Sequence, residues 1–181
     1  AFKIRGAINY ISQLKKVQGV ITASAGNHAQ GVAYASKLFG IPSTIVMPEN
    51  TPLIKIISTK NYGAKVILHG KVYDDAFNYA KELASEEKLE FVPAFDDERI
   101  IAGQGTIALE ILEDLKDLEA LVVPIGGGGL ASGILIALKE INPKIKVYGV
   151  QSNAFPSMYE KIKKVEILSL IHISEPTRQA E

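Results

Sequence analysis

The chain has 181 residues, 47% of them hydrophobic and 22% charged, which is enough apolar material for a real core. Twenty basic residues balance twenty acidic ones, without basic runs or interleaved aromatics, so nucleic acid is not an expected partner. No apolar run approaches the roughly 20 residues that span a bilayer, no membrane association is expected, and the start lacks a secretory layout. Zero cysteines exclude disulfides and thiolate chemistry and fit a cytoplasmic protein. Three histidines, at positions 28, 69 and 172, form no helical pair, so no metal site is expected.

In chain order, short β-branched runs alternate with segments of helical period. Gly19 to Ala23, Ser43 to Met47 and Lys65 to Leu68 read as buried parallel strands. Between them Ala29, Val32, Ala33 and Ser36 share one helical face, and Ala76, Phe77, Ala80, Leu83 and Ala84 share another. Farther on, Ala108, Ile111, Leu112 and Leu115 form an apolar stripe. A strand at Ala120 to Val123, a helix through Ile134 and Leu138, and a strand at Lys146 to Val150 follow. Repeated βα units demand an α/β fold with parallel sheets. The acidic, turn-like stretch Pro93 to Glu98 interrupts the rhythm, which divides the chain into an α/β lobe over residues 1–97 and a second, partial one over 98–167. Ligands of such folds gather at strand carboxyl ends and between lobes.

Both ends suggest a piece of a longer protein. The chain opens on Ala1-Phe2-Lys3, and residues 168–181 resemble the translation of a transposon-end adapter, a tail to be set aside in fold reasoning.

Three segments could carry chemistry. Ser24-Ala25-Gly26-Asn27-His28, between a strand and a helix, is either an anion site built on free amides or a turn in which Ser24 or Asn27 caps the helix. Ile125-Gly126-Gly127-Gly128-Gly129-Leu130 also joins a strand to a helix. Its successive amides suit a phosphate better than its alternative, a flexible linker. Gly126, Gly128 and Ala131 satisfy a dinucleotide fingerprint as well, but the following strand ends at Gln151, where that reading wants an acid. Lys3, taken alone, is one solvated lysine among many.

Together, Phe2-Lys3-Ile4-Arg5-Gly6, the Ser24 to Gly31 motif and the four-glycine run occur in the order that resembles the fold-type II pyridoxal-phosphate enzymes, most nearly the threonine and serine dehydratases. The likeness extends through Val46-Met47-Pro48, Leu68-His69-Gly70, Ile101 to Thr106 and Pro124-Ile125-Gly126. It implies two parallel-sheet lobes of the tryptophan synthase beta-like type, the large one truncated, and pyridoxal 5'-phosphate as cofactor. It implies that Lys3 binds the cofactor covalently and then acts as base, that Phe2 packs beside the cofactor, and that Gly126 through Gly129 with Leu130 hold its phosphate. Asn27 would contact the ring hydroxyl, while Ser24, Ala25, Gly26, Asn27 and His28 would bind the carboxylate of a small amino-acid substrate.

The implied reaction is β-elimination from L-threonine or L-serine to 2-oxobutanoate or pyruvate plus ammonia, in a homo-oligomer. Serine racemases resemble this pattern but carry a serine where Ala25 stands, which favours a lyase. A nicotinamide-dependent enzyme and a non-catalytic nucleotide-binding module are the rival classes. Gln104, in Gly103-Gln104-Gly105-Thr106, and His69 read as structural, the former at the start of a helix. The stretch Leu14 to Gly19 is shorter than the resemblance leads one to expect. Contacts to the pyridine nitrogen and a structural cation would lie beyond Ile167, so these residues alone are expected to turn over substrate poorly.

Overall fold

Strands β1 (Val20–Ala23) and β2 (Ser43–Met47) lie side by side in parallel, with Val20 opposite Ser43 and Ala23 opposite Val46. They are the wholly buried centre of a four-stranded parallel sheet in the order β3-β2-β1-β4, flanked by β3 (Lys65–Leu68) and β4 (Glu90–Phe91). The computed structural model describes residues 1–162; the proposed adapter-like tail lies outside them.

The side-chain period of two sorts these strands between two cores. Val20, Ile45 and Met47 face helices α1 (Lys3–Ser12), α2 (Asn27–Phe39) and α3 (Leu53–Lys60), meeting Tyr10, Ile11, Val32 and Ile56. Ile21, Ala23 and Val46 face α4 (Tyr73–Glu86), where Ala76, Ala80 and Leu83 are buried. A parallel sheet covered on both faces explains why β1 and β2 are continuous apolar runs. Strand β3 departs from its expected burial because it sits at the sheet edge, which leaves Lys65 and Leu68 exposed.

The Pro93 to Glu98 turn leads into α5 (Glu98–Asp114), whose amino end is capped by Asp97 accepting from the Arg99 amide at 2.8 Å. Beyond it, β5 (Ala120–Pro124) and β6 (Lys146–Val150) form a second parallel sheet around α6 (Gly129–Ile141). Ala108, Val123, Ile134, Leu138 and Ile145 make its core. One face of this pair is open: Val122 is 63% and Tyr148 53% exposed. A short helix, α7 (Ser157–Ile162), ends the described chain.

Two readings of α5 change. Gly103 to Thr106 is not a helix start but the middle of a 17-residue helix. Leu115, expected on the apolar stripe, is the C-cap and 55% exposed, because the helix ends at Asp114.

Helix α5 joins the halves. It packs on α1 and on α6, and the crossings are closer than a side chain allows: a Cβ on Gly103 would lie 2.6 Å from the Arg5 carbonyl oxygen and from the Gly6 Cα. Arg5 adds a forked pair with Glu110 at 2.5 and 2.7 Å and a bond to the Thr106 hydroxyl at 2.9 Å. Because that pair is solvent-exposed, it is worth little beside the burial of Ile11 alone, which contributes roughly 1.5–3 kcal/mol. Apolar burial and the glycine crossing therefore place α1, and the ion pair trims its orientation.

Candidate active site

The first residues of α1, the β1–α2 turn and the β5–α6 loop all open onto one cavity of about 600 Å³. Phe2 begins α1 in helical conformation with no side-chain cap, so the lysine of the first motif stands on the first turn. Its amine donates to the Ala94 carbonyl at 2.6 Å and lies 5.7 and 5.9 Å from the ring centres of Phe2 and Phe95. Both rings are at the outer limit for a cation–π contact, so the carbonyl sets the amine's position.

In the second motif the Ser24 hydroxyl accepts from the Gly26 amide at 3.1 Å, and the Ser24 amide donates to Val46. This shapes the turn but caps nothing: Gly26 is the N-cap of α2, with no side-chain hydrogen bond to the helix. The amides of the first turn are left to a ligand or to water. Gly26, Asn27 and His28 line the cavity, whereas Ser24 and Ala25 are buried behind its wall.

The His28 imidazole turns inward, only 2% exposed, with Nε2 donating to the Val92 carbonyl at 3.2 Å, the role that a carbonyl partner assigns to it. Burial, and then the charge of Lys3, lower its pKa to about 3 from an ordinary 6.5. Between those two values the unfolded chain binds a proton that the fold does not. The contribution of His28 to stability is therefore intact above pH 6.5 and is lost as the pH falls toward 3, with a limiting slope of about 1.4 kcal/mol per pH unit. Urea midpoints at pH 7.5 and 5 should separate more in the wild type than in His28→Gln, which retains a donor for Val92. Equal separations would exclude His28 as the cause.

The third motif runs from Ile125, whose amide donates to Val150 at 2.7 Å, to the start of α6. Gly128 has φ +92°, a left-handed conformation costly for any residue with a Cβ, and α6 has no side-chain cap. A Cβ on Gly127 would lie 2.5 Å from the Phe95 ring, while one on Gly126 would meet nothing within 4 Å. The loop is thus backed by Phe95 and open on its other side, the shape of a cradle for an anion. Leu130 lines the same cavity.

Every residue expected to touch the cofactor, namely Phe2, Lys3, Asn27, Gly126 to Gly129 and Leu130, borders this one cavity. An amine on one wall and an amide-lined cradle on another fit pyridoxal phosphate, which offers an aldehyde and a phosphate. Gln151, where a dinucleotide site wants an acid, spends its side chain otherwise, with Oε1 accepting from the Met158 and Tyr159 amides at 3.1 and 3.2 Å. Ala94, Phe95, Tyr73 and Gln104 also border the cavity and were not foreseen. The first two lie in the turn read only as a boundary, and Gln104 lies in the motif read as a helix start.

Comparison with known proteins agrees with the geometry. The family described as "Pyridoxal-phosphate dependent enzyme" matches residues 1–180. An L-threonine ammonia-lyase of Thermotoga maritima is 53% identical over 167 residues, 91% of this chain and 42% of its own. A catabolic L-threonine dehydratase of Staphylococcus aureus is 51% identical over 91% of this chain and 48% of its own. Among solved structures, the processed form of threonine deaminase isoform 2 from Solanum lycopersicum has a TM-score of 0.88 at 44% identity, over 92% of this chain and 47% of that one. Maize serine racemase has a TM-score of 0.87 at 38% identity, over 92% and 52%. The chain spans about half the length of the curated relatives it matches. A match over nearly all its residues, to sequences about half identical, makes this chain a member of the pyridoxal-phosphate-dependent enzyme family.

Proposed function

We propose that the full-length enzyme catalyses β-elimination of L-threonine or L-serine, losing water from Cα–H and Cβ–OH and then taking up water to release 2-oxobutanoate or pyruvate and ammonia. The observation that carries this reading is the Lys3 amine on the same cavity as the Gly126 to Gly129 cradle. The names of the matched relatives, threonine ammonia-lyase and threonine dehydratase, support the substrate class. When bound, pyridoxal phosphate supplies the electron sink that acidifies Cα–H.

The residues divide the remaining work. Lys3 would carry the cofactor and would take the Cα proton, a task suited to a lysine beside a cofactor. The amides of Gly126 to Gly129 hold the phosphate, with Leu130 and Phe2 flanking the cofactor. Asn27 reaches the ring hydroxyl. The substrate carboxylate lies against the first turn of α2, on the amides around Gly26, Asn27 and His28, while Ser24 and Ala25 shape that turn from behind. The buried imidazole of His28 is assigned to holding the turn on Val92 rather than to gripping substrate. Fixing the carboxylate selects which Cα bond breaks.

The two sheets support a division into lobes at residues 97 and 98, with α5 as the shared element, and the open face of β5 and β6 is assigned to cover from further α/β structure of the large lobe. A cytoplasmic homo-oligomer completes the proposal. The deciding experiment incubates the full-length protein with L-threonine and L-serine and follows ketoacid, ammonia and D-serine. Ketoacid release faster than racemisation supports the lyase, as Ala25 leads us to expect. D-serine formed faster than pyruvate would overturn it in favour of a racemase.

A further inference from the structure

The turn that carries Ala94 and Phe95 has little main-chain support of its own: among the described residues, the amides of Ala94, Phe95 and Asp96 donate no hydrogen bond. Yet it touches both halves of the site. The Ala94 carbonyl accepts from the Lys3 amine at 2.6 Å, and Phe95 backs the glycine loop, where a Cβ added to Gly127 or Gly129 would lie 2.5 or 2.8 Å from its atoms. One side chain of α1 reaches both ends of this turn. Just before it, the Tyr10 hydroxyl donates to Glu90 Oε1 at 2.6 Å, with the Phe91 carbonyl 3.2 Å away. Just after it, the Arg99 guanidinium lies 3.8 Å from the centre of the Tyr10 ring while forking onto the Asp97 carboxylate at 2.9 and 3.0 Å. The neighbouring Asn9 donates to the Arg99 carbonyl at 2.6 Å.

Tyr10 is 2% exposed, and burial, followed by the hydrogen bond to Glu90, pushes its hydroxyl pKa upward, so the group stays protonated and donating. Neither Tyr10, Glu90, Asp97 nor Arg99 borders the cavity, so any influence they have on its chemistry passes through the turn. Lys3 and Tyr10 both belong to α1 and are seven residues apart, which is two turns and the same helical face. A single helix thus carries the amine near one end and the grip on the turn near the other. We propose that Tyr10 is a positioning residue for Lys3, gripping the turn at both ends so that the Ala94 carbonyl meets the amine and Phe95 backs the glycine cradle. The assignment rests on the site reading given under the proposed function.

The test mixes the cofactor-free, full-length protein with saturating pyridoxal 5'-phosphate and follows the limiting rate at which the absorbance band of lysine-bound cofactor forms, alongside the urea midpoint. Tyr10→Phe keeps the ring under Arg99 and removes the hydroxyl; it should slow the band about tenfold. Tyr10→Leu releases both ends of the turn and should slow it about a hundredfold, the scale for misplacing a reacting group by about 1 Å. Arg99→Gln, which frees the far end alone, should resemble Tyr10→Phe. Ile11→Val is the control: Ile11 is the next residue of α1 and equally buried, so the change lowers the urea midpoint without touching the turn and should leave the rate at the wild-type value. Circular dichroism shows whether Tyr10→Leu has folded, and if it has not, Tyr10→Phe decides. Wild-type rates in the folded Tyr10 variants, or a loss in Ile11→Val equal to that in Tyr10→Phe, would overturn the positioning role. Failure of the underlying site reading looks different: the wild type then gives no band, or the band survives Lys3→Ala.

Discussion

Lys3→Ala should abolish the absorbance band of lysine-bound cofactor and reduce ketoacid release from threonine by at least about 10²–10⁴-fold, the range for removing a positioned acid–base group. The fold should survive, because Lys3 is on the first turn of α1, where alanine is a favourable helix residue. What disappears is the amine held 2.6 Å from the Ala94 carbonyl. Lys3→Arg is the informative companion, since it keeps a cation at the site but cannot form the covalent link. Both variants should still take up pyridoxal phosphate weakly through the glycine cradle, with the spectrum of the free aldehyde. Should the wild type give no band, or should Lys3→Ala retain it, Lys3 is not the attachment point and the reading of the whole cavity fails.

Gly103→Val should lower stability by about 1–2 kcal/mol and weaken cofactor binding at the same time. Its Cβ would fall 2.6 Å from two backbone atoms of α1, the Arg5 oxygen and the Gly6 Cα, neither of which can swing away as a side chain could. Overpacking of this kind costs roughly 1–3 kcal/mol, and it outweighs the fraction of a kcal/mol that valine gains over glycine in a helix. Relief requires α1 to move off α5, and Lys3 moves with it. Gly126→Ala provides the contrast: nothing lies within 4 Å of the added carbon, so urea stability should hold while affinity for pyridoxal phosphate drops. Urea midpoints and cofactor titrations on both variants separate the two effects. A stable Gly103→Val with normal binding would show that the crossing is looser than described.

The strands show how far pattern carries. The runs Ser43 to Met47 and Lys65 to Leu68 were read at the boundaries they adopt, because β-branched residues bounded by proline and glycine leave little else to form. Strand β4, only Glu90 and Phe91, left no trace in the pattern. Its existence depends on β1 offering an edge at Val20 and Ile21. The two glycines flanking Gln104 misled in the opposite sense. Read locally they weaken a helix, whereas in the fold they are what lets α5 approach α1 and α6.

From sequence alone, the order of βα units and the parallel class of the sheet could be stated, since each rests on local composition and period, while Lys3 as the proposed attachment point rests on a resemblance carried by motifs in a fixed order. Convergence of Lys3, the α2 start and the glycine loop on one cavity belongs to the tertiary structure, because it depends on α5 locking α1 to α6 across about a hundred residues. So do the inward turn of His28 onto Val92 and the position of Gln104 beneath the cavity. Burial and hydrogen-bond partners come from distant segments, and no local pattern records which segments will meet.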